Sequence, residues 1–417
     1  MSKRIVIIGA GVIGLCTAYY CARRGFNVTV VERKPERRDG CSFGNAGMIV
    51  PSHFVPLAAP GMVKLGLKWM WNPPSPFYIK PRLSADLISW GIKFWRAANA
   101  EHVRRSAPLL RDLSLASRKC FEEFVALPNT DFGLVKKGLL MLCKTQHAFD
   151  EEAKFAAQAR TLGVPAEVLD AKQTAALDPG ARMEIAGAVL FPMDCHLTTD
   201  RFMAALQHQC STLGVRFVWD AEVRHLAALG KQVAAIKTDL GEFDFDELVV
   251  CVGSWSQGLA RMLGLRIPVQ AGKGYSLTLT KPCQLPQLCS ICTEARVAVT
   301  PMGEKLRVGG TMEIAGLNEY INPIRVRGII DSFCRYFPEF RSEDFDGIQP
   351  WRGLRPCSPD GLPFIGRTVK FANLSIASGH GMMGLSLGPI TGRLMTQILS
   401  GEKPVWDIAM LSPDRYS

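Results

Sequence analysis

The stretch RIVIIGAGVIGLCTAYYCARRGFNVTVVE, residues 4 to 32, decides the fold of this 417-residue chain. It opens with a β-branched run that is typical of a buried parallel strand. Gly9, Gly11 and Gly14 then give the spacing GxGxxG where a helix begins, and a second strand follows that helix. We therefore predict a Rossmann-like βαβ unit whose helix amino terminus binds a pyrophosphate.

Each residue of this turn has a separate task. Gly9 permits the tight turn, Gly11 lets a pyrophosphate approach the backbone, and Gly14 allows the helix to pack closely on the strand. Glu32 ends the second strand, where an acid binds the ribose hydroxyls of a dinucleotide, and Arg33 beside it leaves a 2′-phosphate as an alternative. The order of strand, glycines, helix, strand and acid predicts dinucleotide binding.

Composition narrows the class of protein. The length predicts two domains, and no apolar run approaches the roughly 18–20 residues of a membrane span. We explain the apolar amino terminus by the strand and its glycines rather than by an export signal. The formal charge of +11 has RKPERR, residues 33 to 38, as its longest dense basic run, so we expect no nucleic-acid partner.

The cysteines and histidines carry no metal signature. Thirteen cysteines without framework spacing are typical of a reducing cytoplasm. We interpret Cys289 and Cys292 as buried free thiols, because no second Cys or His pair lies at zinc spacing. Seven histidines show no HExxH pattern, and we therefore predict no metal site.

Three further segments indicate which dinucleotide binds. GCSFGNAGMIVPS, residues 40 to 52, is rich in small residues where nicotinamide-binding folds usually continue with another βα unit; a glycine-rich surface loop is the alternative. FDELVVCVGSWS, residues 245 to 256, and IASGHGMMGLSLGPITGRLMTQILSG, residues 376 to 401, each place a strand before glycines. The last segment continues into a helix whose amino terminus can face an anion or an electron-rich ring. We infer a chain that contacts a large buried cofactor repeatedly.

These motifs carry a family resemblance over nearly the whole chain. They are GAGVIG with Glu32, SFGNAGM, VVCVGSWS, GLRPCSPDGLPFIG, SGHGMMGLSLGPITG and the terminal SPDRYS. The sequence resembles the FAD-dependent D-amino acid oxidase and glycine oxidase group, and within it the bacterial D-amino acid dehydrogenases. The resemblance implies FAD, bound non-covalently because Cys357 does not match the covalent-flavin cysteine of the family.

The resemblance also implies the architecture. We expect a mixed α/β (α+β) fold, with a Rossmann-like FAD-binding domain interleaved with a substrate domain built on an antiparallel sheet. The FAD-binding domain is assigned to 1–85, 180–262 and 346–417, and the substrate domain to 86–179 and 263–345. KKGLLMLCKT, residues 136 to 145, is predicted to be a substrate-domain strand, followed by a helix over 148–162. Residues 186 to 210 are interpreted as a return to the FAD-binding domain.

The cofactor contacts follow from the same motifs. The resemblance implies that FAD is bound by Gly9, Ala10, Gly11, Val12, Ile13, Gly14, Glu32, Arg33, Ser42, Asn45, Ala46, Gly47, Met48, Val223, Gly253, Trp255, His380, Gly381, Met382, Met383, Gly384 and Leu385. The backbone over residues 381–385 is expected near the pyrimidine end of the flavin, where amides stabilise negative charge.

Arg355 in GLRP is the implied catalytic residue. The family resemblance assigns it the substrate carboxylate, which a guanidinium fork can bind bidentately; a structural ion pair is the alternative. Tyr275 either gives a hydroxyl to the substrate or packs in the core, and Met48 and Met382 are further substrate contacts. Glycine oxidases carry another arginine where Met382 and Met383 stand, so we expect a more apolar pocket here.

The implied reaction is oxidative deamination of a D-amino acid, or of a cyclic D-imino acid such as D-proline. Arg355 aims the Cα–H at flavin N5, and the imine product hydrolyses to a 2-oxo acid. Three alternatives stay open: oxidation of a secondary amine such as glycine or sarcosine, a nicotinamide-dependent dehydrogenase, and an electron-transfer flavoprotein subunit.

Residues 62 to 99 bear on the electron acceptor. Tryptophan and lysine alternate there with leucine, isoleucine and phenylalanine, as at a membrane interface. A helical pair that packs its tryptophans inside is the alternative. We expect a cytoplasmic protein. If residues 62 to 99 form a membrane interface, the protein is peripheral on the inner face of the membrane and a quinone is its electron acceptor.

Overall fold

The computed structural model describes residues 2–70 and 75–417. In this part of the chain the helices α1 to α10 are Val12–Arg23, Met62–Met70, Ala85–Ala97, Ala100–Val125, Gln146–Thr161, Ala171–Leu177, Thr199–Thr212, Ser256–Met262, Pro323–Tyr336 and Gly384–Leu399. The strands β1 to β20 are Arg4–Ile8, Asn27–Val31, Met48–Ile49, Phe77–Ile79, Leu139–Cys143, Glu167–Asp170, Gly187–Phe191, Cys195–His196, Arg216–Val218, Val223–Leu229, Gln232–Thr238, Gly241–Glu242, Glu247–Val250, Gln270–Leu279, Cys289–Cys292, Val297–Met302, Lys305–Ile314, Trp351–Cys357, Phe364–Arg367 and Leu374–Ser378.

The glycine motif lies in a six-stranded sheet with the order β19-β20-β13-β1-β2-β9. β1 pairs in parallel with both β13 and β2, while β19 pairs antiparallel with β20. The apolar residues of β1 are buried, as a central parallel strand between helices requires. α1 follows β1 and packs against α10. The predicted βαβ unit is confirmed.

The second large sheet is mostly antiparallel and has nine strands. Eight follow the order β18-β14-β17-β16-β15-β5-β7-β6, and β4 pairs with β17. Leu277 and Phe333 belong to a core beneath α9 on one face of this sheet. Met141 and Phe191 on the other face join the core that contains α1. The sheet therefore shares a core with the six-stranded domain.

The predicted elements of the second sheet are largely confirmed. β5 lies within the predicted strand 136–145, and α5 covers all but the last residue of the predicted helix over 148–162. The predicted domain bounds, by contrast, do not follow the sheets. β4, β7 and β18 fall in segments assigned to the FAD-binding domain yet pair in the nine-stranded sheet, and α4 packs against α10. The strands β4, β7 and β18 are apolar enough to pack in the core of either sheet, so their composition does not decide which sheet they join.

Residues 62 to 99 form α2, β4 and α3, with residues 71–74 outside the described part of the chain. Trp90 is buried, stacks on Phe94 and donates its Nε1–H to the Cys357 carbonyl at 2.9 Å. Trp95 is 66% exposed. One tryptophan thus packs inside and another faces solvent. Over the described ranges we find no helix that combines the length and apolarity needed to cross a bilayer.

Candidate active site

A cleft of about 370 Å³ lies at the carboxyl ends of the parallel strands. Its wall includes the residues at or just after the ends of β1, β2, β13 and β20, namely Ile8, Gly9, Glu32, Cys251, Val252 and Ser378. Gly353, Leu354 and Pro356 of β18 line it from the nine-stranded sheet. Ligands of open α/β sheets bind at this edge, so the cleft is the candidate cofactor site.

Two of the three glycines in the turn, Gly9 and Gly14, leave no room for a side chain. Gly9 has a φ of 103°, and a Cβ there would lie 2.6 Å from the Cys251 carbonyl oxygen. A Cβ on Gly14 would lie 1.8 Å from the Gly9 oxygen. Ser42 Oγ accepts a hydrogen bond from Val12 N at 3.0 Å, at the first residue of α1. The turn therefore presents bare backbone at the amino terminus of α1, which fits a pyrophosphate.

Glu32 is held at the end of β2 by backbone donors. Ala10 N donates to its Oε2 at 2.7 Å and Lys34 N to its Oε1 at 3.0 Å. Each carboxylate oxygen keeps a lone pair for a ribose hydroxyl. Arg33 packs over Trp255, with the guanidinium carbon 3.8 Å from the ring centroid. The geometry fits the ribose of a dinucleotide.

His380 brings a buried acceptor to the cleft. The Thr391 hydroxyl donates to the Leu387 carbonyl at 2.8 Å, so it accepts from His380 Nε2–H at 3.0 Å. This tautomer leaves His380 Nδ1 as an acceptor, and Nδ1 has no partner within the described residues. Burial lowers the pKa of His380 to about 3, so the ring is neutral. A buried acceptor in the wall of the cleft fits a ligand that carries hydrogen-bond donors, as FAD does.

Arg355 lies on β18 beside the cleft. Its Nη1 donates to the Thr311 carbonyl at 2.7 Å, and its guanidinium lies against Gly274, where a Cβ would fall 2.1 Å from Nη1. Among the described residues no carboxylate lies within 4.0 Å of it. Burial raises the pKa of the cleft residue Cys41, and the positive charge of Arg355 acts on that thiol in the opposite direction. Arg355 is thus partly buried and lies near the cleft, which its neighbours Leu354 and Pro356 line although Arg355 itself does not, and no anion pairs with it within the described residues.

Tyr275 does not reach the cleft. Alternation along β14 turns Gly274 towards Arg355 and Tyr275 towards the core beneath α9. The Tyr275 hydroxyl donates to Glu313 Oε2 at 2.6 Å and accepts from Asn322 N at 3.3 Å. Burial and the Glu313 carboxylate raise its pKa. The structure thus places Tyr275 in a buried polar network, which corrects its prediction as a catalytic and substrate-binding residue.

Most of the predicted cofactor contacts line the cleft. Those that do are Gly9, Ala10, Gly11, Val12, Ile13, Glu32, Arg33, Ser42, Asn45, Val223, Gly253, Trp255, His380, Gly381, Gly384 and Leu385. Those that do not are Gly14, Ala46, Gly47, Met48, Met382 and Met383. Met48 is buried in β3, which pairs with β8, and Met382 is 51% exposed.

The predicted site residues leave out a charged group that lines the cleft. Arg352 lines it and forms ion pairs with Asp39 and Glu319, which come from two other loops and also line it. Arg38 is a further lining residue and donates to the Ala10 carbonyl at 3.0 Å. The dense basic run at 33–38 was the available signal for Arg38. Arg352 and Glu319 lie in different segments, and only the fold brings them together.

Comparison with known proteins agrees with this site. Residues 4–398 match the DAO family of FAD-dependent oxidoreductases. The chain is 33% identical to a D-amino acid dehydrogenase of Bradyrhizobium diazoefficiens, with 99% of each chain covered. It is 34% identical to a D-amino acid dehydrogenase of Allorhizobium ampelinum, again with 99% of each covered. The glycine oxidase structure from Geobacillus kaustophilus superposes with a TM-score of 0.79 at 22% identity, covering 100% of both chains.

The matched residues include both halves of the cleft, the glycine turn after β1 and the strand β18. The expected cofactor and fold class are confirmed. The protein is an enzyme that uses FAD, and the chain belongs to the DAO family of FAD-dependent oxidoreductases.

Proposed function

We propose that the protein is a D-amino acid dehydrogenase that oxidises the Cα–N bond of its substrate to an imine, which water converts to a 2-oxo acid. The observation that carries this proposal is Arg355, a half-buried guanidinium beside the cofactor cleft with no carboxylate partner among the described residues. Partial burial of a cation without an anion is unfavourable, and a substrate carboxylate would supply that anion. Full-length relatives named D-amino acid dehydrogenase support the choice of substrate class.

The chain's own residues account for binding and orientation. Arg355 Nη1 uses one hydrogen on Thr311, which leaves Nη2 and Nε free to bind a carboxylate as a fork. FAD, when bound, supplies the hydride acceptor. Holding the carboxylate fixes the position of the neighbouring Cα, and such positioning is worth several kcal/mol in catalysis. No side chain acting as acid or base is required for this step.

The neighbourhood of Arg355 favours a small or apolar substrate. Gly274 of β14 faces it, and Gly272 on the same strand lies beside Cys357, whose Sγ would be 2.8 Å from a Cβ there. Met382 and Met383 bring no second cation. We therefore include cyclic D-imino acids among the candidate substrates.

The test is anaerobic reduction of the purified flavoprotein. A panel of D-amino acids and D-proline, each beside its L-enantiomer, together with glycine and sarcosine, is added in the absence of oxygen while the flavin absorbance is followed. We expect bleaching by at least one D-enantiomer and not by its mirror image. Bleaching by glycine or sarcosine alone would assign a secondary-amine oxidase, and absence of bleaching by any member would favour an electron-transfer subunit.

We further propose that the exposed apolar side chains of α2, of α3 and of Leu83 just before α3 dock on an anionic bilayer, where a quinone accepts the electrons. These large apolar side chains are Leu67, Leu83, Ile88, Ile92 and Trp95, and each is at least 48% accessible. Residues 62–97 carry six Lys or Arg and a single acid, Asp86. Apolar side chains among cations suit the interface of an anionic membrane.

Sedimentation with vesicles tests this docking. The double variant Leu83→Ser, Trp95→Ser should lose binding to phosphatidylglycerol vesicles, whereas Leu240→Ser, which removes an exposed leucine from the β11–β12 turn, should bind as wild type does. Equal binding by the two variants would contradict the assignment. Peroxide formation in air as fast as reduction of a soluble quinone would contradict the quinone acceptor.

A further inference from the structure

Thr311 has a backbone conformation that threonine rarely adopts. Its φ is 68°, in the left-handed region that strongly disfavours β-branched residues. It lies in β17, which pairs with β14 on one side. Strained residues of this kind persist where the surrounding structure requires them, and they concentrate at functional sites.

The strain coincides with a β-bulge. Lys273 pairs with Glu313 and Tyr275 pairs with Gly310, so two residues of β17, Thr311 and Met312, lie opposite the single residue Gly274. A bulge of this kind inserts one extra residue and redirects its backbone groups away from the ladder. The Thr311 carbonyl is thereby free to accept from Arg355 Nη1 at 2.7 Å.

Gly274 completes the environment of the guanidinium from the opposite strand. A Cβ at this position would lie 2.1 Å from Arg355 Nη1, 2.4 Å from Nη2 and 2.5 Å from Cζ. The guanidinium therefore occupies the space that any other side chain would take. One bulged carbonyl and one glycine thus bound the guanidinium from two different strands.

We propose that Thr311 and Gly274 form a cradle that positions Arg355 for the substrate carboxylate. This inference rests on the proposed function, because it assigns Arg355 to that carboxylate. Neither cradle residue contacts substrate in this account. Thr311 is a positioning residue through its carbonyl, and Gly274 through the absence of a side chain.

The bulge also affects the pairing of β4 with β17, and a test of the cradle must separate that effect from the contact between Thr311 and Arg355. Met312 N donates to the Pro76 carbonyl at 2.7 Å, so the bulge also helps β4 join β17. Phe77→Ala weakens the packing of β4 and leaves the Thr311 carbonyl in place. It is therefore the control for effects that reach the site through β4.

Deletion of Thr311 is the direct experiment, because it removes the extra residue and leaves a regular ladder. We expect FAD content to equal that of wild type and kcat to change little. The Kd of benzoate and the KM of the amino acid should both rise about tenfold or more, as for loss of a hydrogen bond to a charged group. The separate variant Thr311→Gly, which has no deletion, should keep near wild-type affinity, because glycine adopts a positive φ and keeps the bulge.

Gly274→Ala gives an independent reading of the same cradle. Its methyl group should displace the guanidinium and weaken benzoate binding with FAD retained. Wild-type benzoate affinity in the Thr311 deletion, or in Gly274→Ala if the deletion yields no holoprotein, would overturn the cradle. An equal loss of affinity in Phe77→Ala would also overturn it.

Arg355→Ala, measured in parallel, separates this inference from the proposed function. If Arg355→Ala binds benzoate as wild type does, the assignment of the carboxylate is itself wrong. If Arg355→Ala loses benzoate while both cradle variants keep it, the carboxylate assignment holds and the cradle alone is wrong.

Discussion

The glycine turn after β1 and the arginine on β18 are built in opposite ways. The turn is complete within one short segment, where the Gly9 oxygen lies so close to Gly14 that a Cβ there would clash at 1.8 Å. Arg355 is held by Thr311 of β17 and Gly274 of β14, two strands distant in sequence. The cofactor end is thus specified locally, whereas the proposed substrate end depends on the register of three strands.

The largest effect is expected at the cofactor end. Gly14→Val places a β-branched side chain against the Gly9 carbonyl. The backbone at Gly9 and at Gly14 cannot move apart without separating α1 from β1. We expect no stable holoprotein, measured as flavin per polypeptide after purification. Gly91→Ala, at a helical glycine whose added Cβ would meet nothing within 4 Å, is the matched control. A Gly14→Val protein with full flavin content would contradict a locally specified turn.

Acid should weaken the folded state through three histidines, of which His196 and His380 are buried and His53 is partly buried. Burial lowers the pKa of His53 and His196 to about 4 and that of His380 to about 3, so below the ordinary value of 6.5 only the unfolded chain binds these protons. Asp194 acts in the opposite direction, because burial raises its pKa to about 7 and the folded state keeps its proton. Three histidine protons against the Asp194 proton leave a net uptake of at most about two on unfolding, and Glu152, whose pKa burial also raises, reduces that uptake further.

The free energy of unfolding should therefore fall as the pH decreases from 6.5 to 4.5. Two protons correspond to at most about 2.7 kcal/mol per pH unit. Urea denaturation at pH 6.5, 5.5 and 4.5 measures the trend. A free energy that is constant or rises towards pH 4.5 would show that these histidines are not neutral in the folded protein.

Arg355→Lys sharpens the comparison at the substrate end. Lysine keeps the charge but loses the planar fork and the bond to Thr311, so the carboxylate should be misaligned while FAD stays bound. We expect kcat/KM to fall by about tenfold to a hundredfold, equivalent to one or two charged hydrogen bonds. Steady-state kinetics with flavin-normalised enzyme measures it. Unchanged kinetics would mean that charge alone suffices.

The smallest effect is expected from Arg33→Ala. Arg33 packs over Trp255 at the edge of the cleft, a contact worth about 0.5–1 kcal/mol at a partly exposed site. FAD affinity should fall only a few-fold, as measured by titration of the apoprotein, because Glu32 and the glycine turn remain. A loss approaching that of Gly14→Val would mean that the cofactor end is less local than we describe.

The same contrast explains what the sequence could predict. The strand, glycines, helix and acid of residues 4–32 are adjacent in the chain, and all of them lie where the pattern places them. Arg355 could be located through the family resemblance, although not its contacts. Tyr275 was misplaced because a strand turns alternate residues to opposite faces, so the face depends on a register that composition does not reveal. The bulge at Thr311 leaves no sequence signal, since threonine is an ordinary strand residue.

The central claim is that Arg355 binds the substrate carboxylate independently of the cofactor. The most direct measurement is titration of flavin-loaded Arg355→Ala with benzoate, together with its anaerobic reduction rate by the best D-amino acid. We predict wild-type FAD content, and a loss of about 3–5 kcal/mol, a hundredfold or more, in benzoate affinity and in the reduction efficiency. Normal benzoate binding and normal flavin reduction in this variant would contradict the account and make Arg355 a structural residue.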